Sequence, residues 1–338
     1  MTLLEALTPM TTPASKSALH SRRPRRLFSA MSMSLRVAAL GATMLSGAAL
    51  SHATERVFDP ARGERMPVGE GSFEVTGVPR GPVTIYTYRP ASASARTPIW
   101  VVMPGMRRDA HRHLAFDYYD TWQPLAERYG AILLVPEFTA EKWPGVWSYN
   151  FGNVRSQHLQ AKPWNETSFY VVEQAFRMAA GSVGSARRKF SIFGHGAGGQ
   201  FIQRYVLHAG CGMIDRAVAA NPGWFMLPDS EYRYPFGLRG APIPSGTLAR
   251  GFACNQTLLL GTADVNYGGL RNDPEARAQG KTRYARGHFY FARSRTTAAR
   301  LGAPFNWHLR EVPGVGHEAS RMAPAGAAIL AGHALPDA

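Results

Sequence analysis

Short apolar runs set the architecture of this chain. "TPIWVVMPG", "AILLVPEF", "KFSIFGHG", "DRAVAAN" and "QTLLLGTAD" are too brief for buried helices, and each is stopped by Gly, Pro, Asn or Asp. Continuous apolar runs of this kind read as strands covered on both faces. Between them lie "AHRHLAFDYYDTWQPLAERYG", "ETSFYVVEQAFRMAAG", "GGQFIQRYVLHAG" and "HFYFARSRTTAARLG", whose spacing is helical. Pro124 is expected at a kink or boundary of the first. An opening pair, "SFEVTGV" and "PVTIYTYRP", alternates like two antiparallel strands, and "FNWHLREVPG" closes the series. The expected fold is α/β, a mostly parallel sheet with helices on both faces. Thr139 to Trp164 and residues 222–253 are rich in Pro, Gly and aromatics and are expected to form a small irregular lid region.

Residues 1–53 are set aside as an export signal. Met33-Ser-Leu-Arg36 precedes the short apolar run "VAALGATMLSGAALSHA", and Ser51-His52-Ala53 fits a small-x-small cleavage site. The run is too short for a membrane span, which needs about 20 residues. Arg25-Arg26-Leu27-Phe28 resembles a twin-arginine signal, but it lies far from the apolar run. Residues 1–30 therefore also read as sequence upstream of a start at Met31 or Met33. Either way the protein is expected to be exported, periplasmic or extracellular, with residues 54–338 as a single domain. That domain carries 32 Lys and Arg against 22 Asp and Glu, a net +10. No basic and aromatic cluster suggests a nucleic-acid groove. The cationic surface would draw anionic polymers or acidic substrates.

The loop in "KFSIFGHGAGGQFIQRY" has two incompatible readings. Gly194, Gly196 and Gly199 spell G-x-G-x-x-G between strand and helix, the mark of a dinucleotide site. The same residues also read G-H-G-A-G, a G-x-S-x-G nucleophile elbow with glycine in place of serine. A dinucleotide site needs an acid at the end of the next strand to hold the ribose. That strand, "RAVAAN", ends in Asn221 and Pro222, and Asp215 lies at its wrong end. The elbow reading instead requires an acid after a later strand and a histidine after the last one. Asp264 follows "LLLGTA" and His317 follows "VPGVG", in that order. An oxyanion hole is expected from the backbone N–H groups of Ala197 and Met106, the latter in "VVMPGM".

"GHGAGGQFIQRY", "VVMPGM", "GTAD" and "VPGVGH" together resemble the α/β-hydrolase superfamily, most closely its exported polyhydroxybutyrate-depolymerase-like and feruloyl-esterase-like branch. The resemblance spans about residues 70–335. It implies carboxylic-ester hydrolysis through an acyl-enzyme, with Asp264 orienting His317, a small-molecule or polymeric ester-like substrate, and no cofactor or metal. The departure falls on Gly196, which has no hydroxyl. Loss of the nucleophile costs about a million-fold in comparable enzymes, so this chain is expected to be weak or inactive as an esterase. Three readings stay open: a binding-only relative, a protein that activates water through His317, and an ordinary hydrolase carrying one substitution.

Trp224, Asn266 and Tyr267 follow strands at the active edge and are expected to contact substrate. Trp147 is expected to do so from the aromatic-rich segment, where Trp143, Tyr149, Phe151 and Trp164 also read as loop packing. His195 reads as packing beneath the loop. Asp109, His111 and His113 diverge on a helix and read as a solvated helix start, with Asp109 its N-cap. Cys211 and Cys254, each just before a strand and those strands neighbours, are expected to form a disulfide.

Overall fold

A computed structural model describes residues 56–108, 116–156, 160–333 and 335. Residues 1–53, expected to be an export signal, and the Asp109, His111 and His113 group lie outside the described residues. Among the described residues, nine strands form one open sheet in the order β1-β2-β3-β5-β4-β6-β7-β8-β9. The strands are β1 (Arg56–Val57), β2 (Gly69–Val75), β3 (Val83–Arg89), β4 (Ile99–Met103), β5 (Ile132–Glu137), β6 (Phe190–His195), β7 (Ile214–Ala220), β8 (Gln256–Gly261) and β9 (His308–Val312). β2 and β3 are the expected antiparallel pair, β3 also runs antiparallel to β5, and every pairing from β5 through β4 to β9 is parallel.

The helices are α1 (Phe116–Tyr129), α2 (Gly145–Ser148), α3 (Ser168–Ser182), α4 (Ala197–Ala209), α5 (Thr247–Phe252), α6 (Pro274–Ala278), α7 (Arg283–Arg300) and α8 (Ala319–Leu330). Strand periodicity divides the core between the two faces of the sheet. In β4, Val101 and Met103 face one layer while Trp100 and Val102 face the other. In β6, Ile192 and Phe193 divide the same way. Helices α3 and α4 pack on the first layer, and α1 and α8 on the second. Polar alternation is absent from these strands because both faces are covered.

Two expectations are corrected. Of the two places expected for Pro124, a kink or a boundary, the boundary is excluded, because helix α1 runs through it. Cys211 and Cys254 are free thiols. The strands after them, β7 and β8, are neighbours as expected, but both sulfurs point at one carbonyl. Arg250 O lies 3.6 Å from Cys211 Sγ and 3.3 Å from Cys254 Sγ. Burial raises the Cys254 thiol above its ordinary range, with the neighbouring Cys211 adding to the effect.

Candidate active site

The strand β6 turns into α4 through one residue. Gly196 has φ 57° and ψ −109°, a backbone that L side chains rarely adopt. Its neighbouring glycines serve a different need. A β-carbon on Gly194 would stand 2.4 Å from Gly198 C, and one on Gly198 would stand 2.6 Å from Met103 O. One on Gly199 would come within 2.8 Å of Ala220 O. The glycine spacing therefore lets α4 settle backbone to backbone on the ends of β4 and β7. Close packing accounts for Gly194, Gly198 and Gly199 with no phosphate in the argument.

Gly196 faces the open side of this turn, and what it meets there is His317. The segments after β8 and β9 are joined by backbone bonds, Thr262 N–H donating to Val312 O at 3.2 Å and Ala263 N–H to Val315 O at 3.0 Å. This brings His317 Nδ1 to 2.7 Å from Asp264 Oδ2. A carboxylate only accepts, so Nδ1 carries the proton and Nε2 presents its lone pair toward Gly196. Asp264 is 1% exposed, and its other oxygen accepts from Arg283 Nη1 at 3.3 Å.

Asn221, whose position argued against a ribose site, ties this assembly together. It is fully buried at φ 42°. Its Oδ1 accepts from Gly261 N at 2.8 Å, and its Nδ2 donates to Gly316 O at 3.1 Å. The same Nδ2 lies 3.3 Å from His195 Nε2. Nothing but an Asn-Pro at a strand end marks this clamp in the sequence. His195 is buried with its ring 4.4 Å from that of His317. Burial holds its pKa well below the histidine range, and His317 and Arg283 push it further down. His195 is therefore a neutral packing partner, as its sequence position suggested.

Ala197 opens α4, so its N–H has no acceptor within the helix. Met106 lies in the loop after β4, which is pinned where Tyr149 Oη donates to Pro104 O and Arg108 Nη1 to Trp143 O. Gly105, Met106, Gly196, Ala197 and His317 line one cavity of about 870 Å³. Trp224 forms part of its wall, with the guanidinium groups of Arg204 and Arg271 centred 4.5 Å and 5.2 Å from its ring. Arg204 is fully buried, and burial lowers its pKa to about 9.

Three expected substrate contacts are not at this cavity. Asn266 and Tyr267 sit on an outward loop, Tyr267 67% exposed, and the chain rejoins the wall only at Gly269. Trp147 packs on Phe151 and Tyr234, joining the two irregular segments to each other, and its neighbour Val146 lines the cavity instead. One residue along a helix turns a side chain by about 100°. Trp143, Tyr149 and Phe151 are core residues. Sequence reasoning also missed Gln200, Arg271 and Arg321 in the cavity wall.

Comparison with protein-family models and with curated protein sequences gave no match. Solved structures that are similar to this chain include the following two. Poly(aspartic acid) hydrolase-1 from Sphingomonas sp. KT-1 is 34% identical over 78% of this chain and 99% of its own, with a TM-score of 0.74. LpqC, a poly(3-hydroxybutyrate) depolymerase from Bordetella parapertussis, is 33% identical over 80% of this chain and 92% of its own, also with a TM-score of 0.74. The open, mostly parallel sheet with its strand-to-helix elbow, together with these two relatives, places the chain in the α/β-hydrolase family, on its esterase- and depolymerase-like branch.

Proposed function

We propose that this protein is a carboxylic-ester hydrolase type of α/β-hydrolase whose cleft binds a polymeric or small ester-like substrate, and that Gly196 blocks the acyl-enzyme route. The observation that carries the reading is the aim of His317 Nε2 at Gly196, with Asp264 bonded behind the ring. In a serine hydrolase the imidazole takes a proton from the nucleophile, backbone N–H groups stabilise the oxyanion, and the acid orients the imidazole. His317, the N–H groups of Ala197 and Met106, and Asp264 fill those roles here, but no side-chain oxygen is available for acylation.

The polymers named for the two relatives carry a carbonyl in every repeat, so a chain with recurring carbonyls fits this reading. It includes export through residues 1–53, checked by finding Thr54 at the N-terminus of the mature protein. The runner-up is a non-catalytic periplasmic binding protein that uses the same cleft. Turnover of p-nitrophenyl esters separates the two. Activity that appears in Gly196→Ser and is absent from the unchanged chain supports a disabled hydrolase. Inactivity of both forms with ester binding retained favours the binding protein. Activity in the unchanged chain that His317→Ala abolishes would instead indicate attack by water.

A further inference from the structure

Gln200 is a cavity-lining residue outside the acid–base machinery. It stands one helical turn beyond Gly196 on α4 and faces the same side. It is 5% exposed, and its amide is held in one orientation. Asn150 Nδ2 donates to Gln200 Oε1 at 2.6 Å, and Asn150 is itself 1% exposed. With the oxygen engaged, the amide has two N–H groups left to offer. Nε2 lies against Gly223, where a β-carbon would come within 2.9 Å of it. Gln200 and Gly223 line the cavity beside Trp224 and Arg271. Among the described residues Nε2 has no hydrogen-bond acceptor.

The side chain is buried, but its Nε2 opens onto the cavity, where water or a ligand oxygen can accept from it. An amide fixed by Asn150 with its N–H groups turned to a cavity is a preset donor for a ligand carbonyl. We propose that Gln200 Nε2 recognises a second carbonyl oxygen of the substrate, one repeat away from the carbonyl facing Gly196. Four residues of α4 rise about 6 Å, a separation suited to successive carbonyls of a short hydroxyacid repeat. This makes Gln200 a specificity residue that favours substrates with repeated carbonyls over simple esters. Gly223 belongs to the same feature, since any side chain there would occupy the space beside Nε2.

The inference rests on the reading of the cleft as an ester-binding site. Its test uses two probes, the methyl ester of a 3-hydroxybutyrate dimer and an analogue in which the remote carbonyl is reduced to a methylene ether. Tryptophan fluorescence reports binding through Trp224. The unchanged chain should bind the diester about tenfold more tightly than the ether. Gln200→Met should abolish that preference and leave ether affinity within about twofold. Gln200→Glu, which keeps an acceptor for Asn150 and removes the donor, should do the same. Equal affinity for both probes in the unchanged chain overturns the inference without any variant. So does a preference that survives either substitution, or an equal weakening of both probes. Failure of the unchanged chain to bind either probe overturns the ester-binding reading along with it.

Discussion

A β-carbon on residue 196 would stand 3.3 Å from His317 Nε2 and 3.5 Å from its Cε1. The ring is anchored from behind by Asp264 and aimed at a residue with no side chain. The first distance is slightly tight, so His317 must give by a few tenths of an ångström to admit a side chain. Its side chain is 36% exposed on the cavity side and has room to do so.

Restoring serine at this turn should lower stability. Gly196 occupies a left-handed backbone region that glycine enters freely and serine does not. Strain of this kind costs about 1–3 kcal/mol. Gly196→Ser should therefore melt below the unchanged chain, by about 2–4 °C for each kcal/mol. A melting temperature equal to or above that of the unchanged chain would contradict the assignment of strain to this residue.

The other elbow glycines should be far less tolerant. Alanine at 198 would place its β-carbon 2.6 Å from Met103 O and 3.0 Å from Pro104 O. Backbone cannot step aside as a side chain can, so Gly198→Ala should cost about 3 kcal/mol. Gly212, where a β-carbon would meet nothing within 4 Å, is the control. Gly212→Ala should stay within about 0.5 kcal/mol. Denaturant unfolding of the two variants measures the difference.

Asp264 fixes the proton of His317 on Nδ1. In a chain that also carries Gly196→Ser, Asp264→Asn should lower turnover by about 10⁴-fold through the wrong tautomer. Its KM for a p-nitrophenyl ester should change little, because Asp264 is buried behind the ring and away from substrate. A loss confined to KM would show that the pair does not act on the reacting group.

Acid should weaken the fold before the carboxylates titrate. His208 is fully buried, with Nδ1–H donating to Arg204 O at 2.9 Å, and burial pushes its pKa down to about 4. His195 is shifted in the same direction. The unfolded chain therefore binds more protons than the folded one between about pH 6.5 and pH 4. The stability that these neutral rings contribute is complete above pH 6.5 and falls as the pH drops toward 4. For His208 alone the loss is about 3 kcal/mol. His208→Phe, set among Phe169 and Tyr234, should flatten the dependence. Thermal unfolding at pH 7, 5.5 and 4 measures the slope, and an unaltered slope in the variant would contradict the cause given.

Asp264 and His317 were legible because a strand end in a parallel sheet fixes where a residue lies. The α/β architecture was legible because buried strands and amphipathic helices leave different spacings. Asn221 and Gln200 left no such trace. The Asn221 clamp and the Asn150–Gln200 bond join residues 40 or more positions apart that only the folded sheet brings together. The glycines at 194, 198 and 199 fit phosphate binding and close packing equally well until their neighbours are known. Trp147, Asn266 and Tyr267 were misplaced because a helical turn and an outward loop carry adjacent residues in different directions. For the cysteines, sequence position predicted adjacency but not the shared carbonyl toward which both thiols turn.

A hydroxyl placed at position 196 should be activated by the His317–Asp264 pair. Intact-mass spectrometry after treatment with a fluorophosphonate tests it most directly. Gly196→Ser should gain one phosphonyl adduct that maps to position 196. The unchanged chain and the Gly196→Ser, His317→Ala double variant should gain none. A folded Gly196→Ser protein left unlabelled, or labelling at position 196 that persists without His317, would contradict the account.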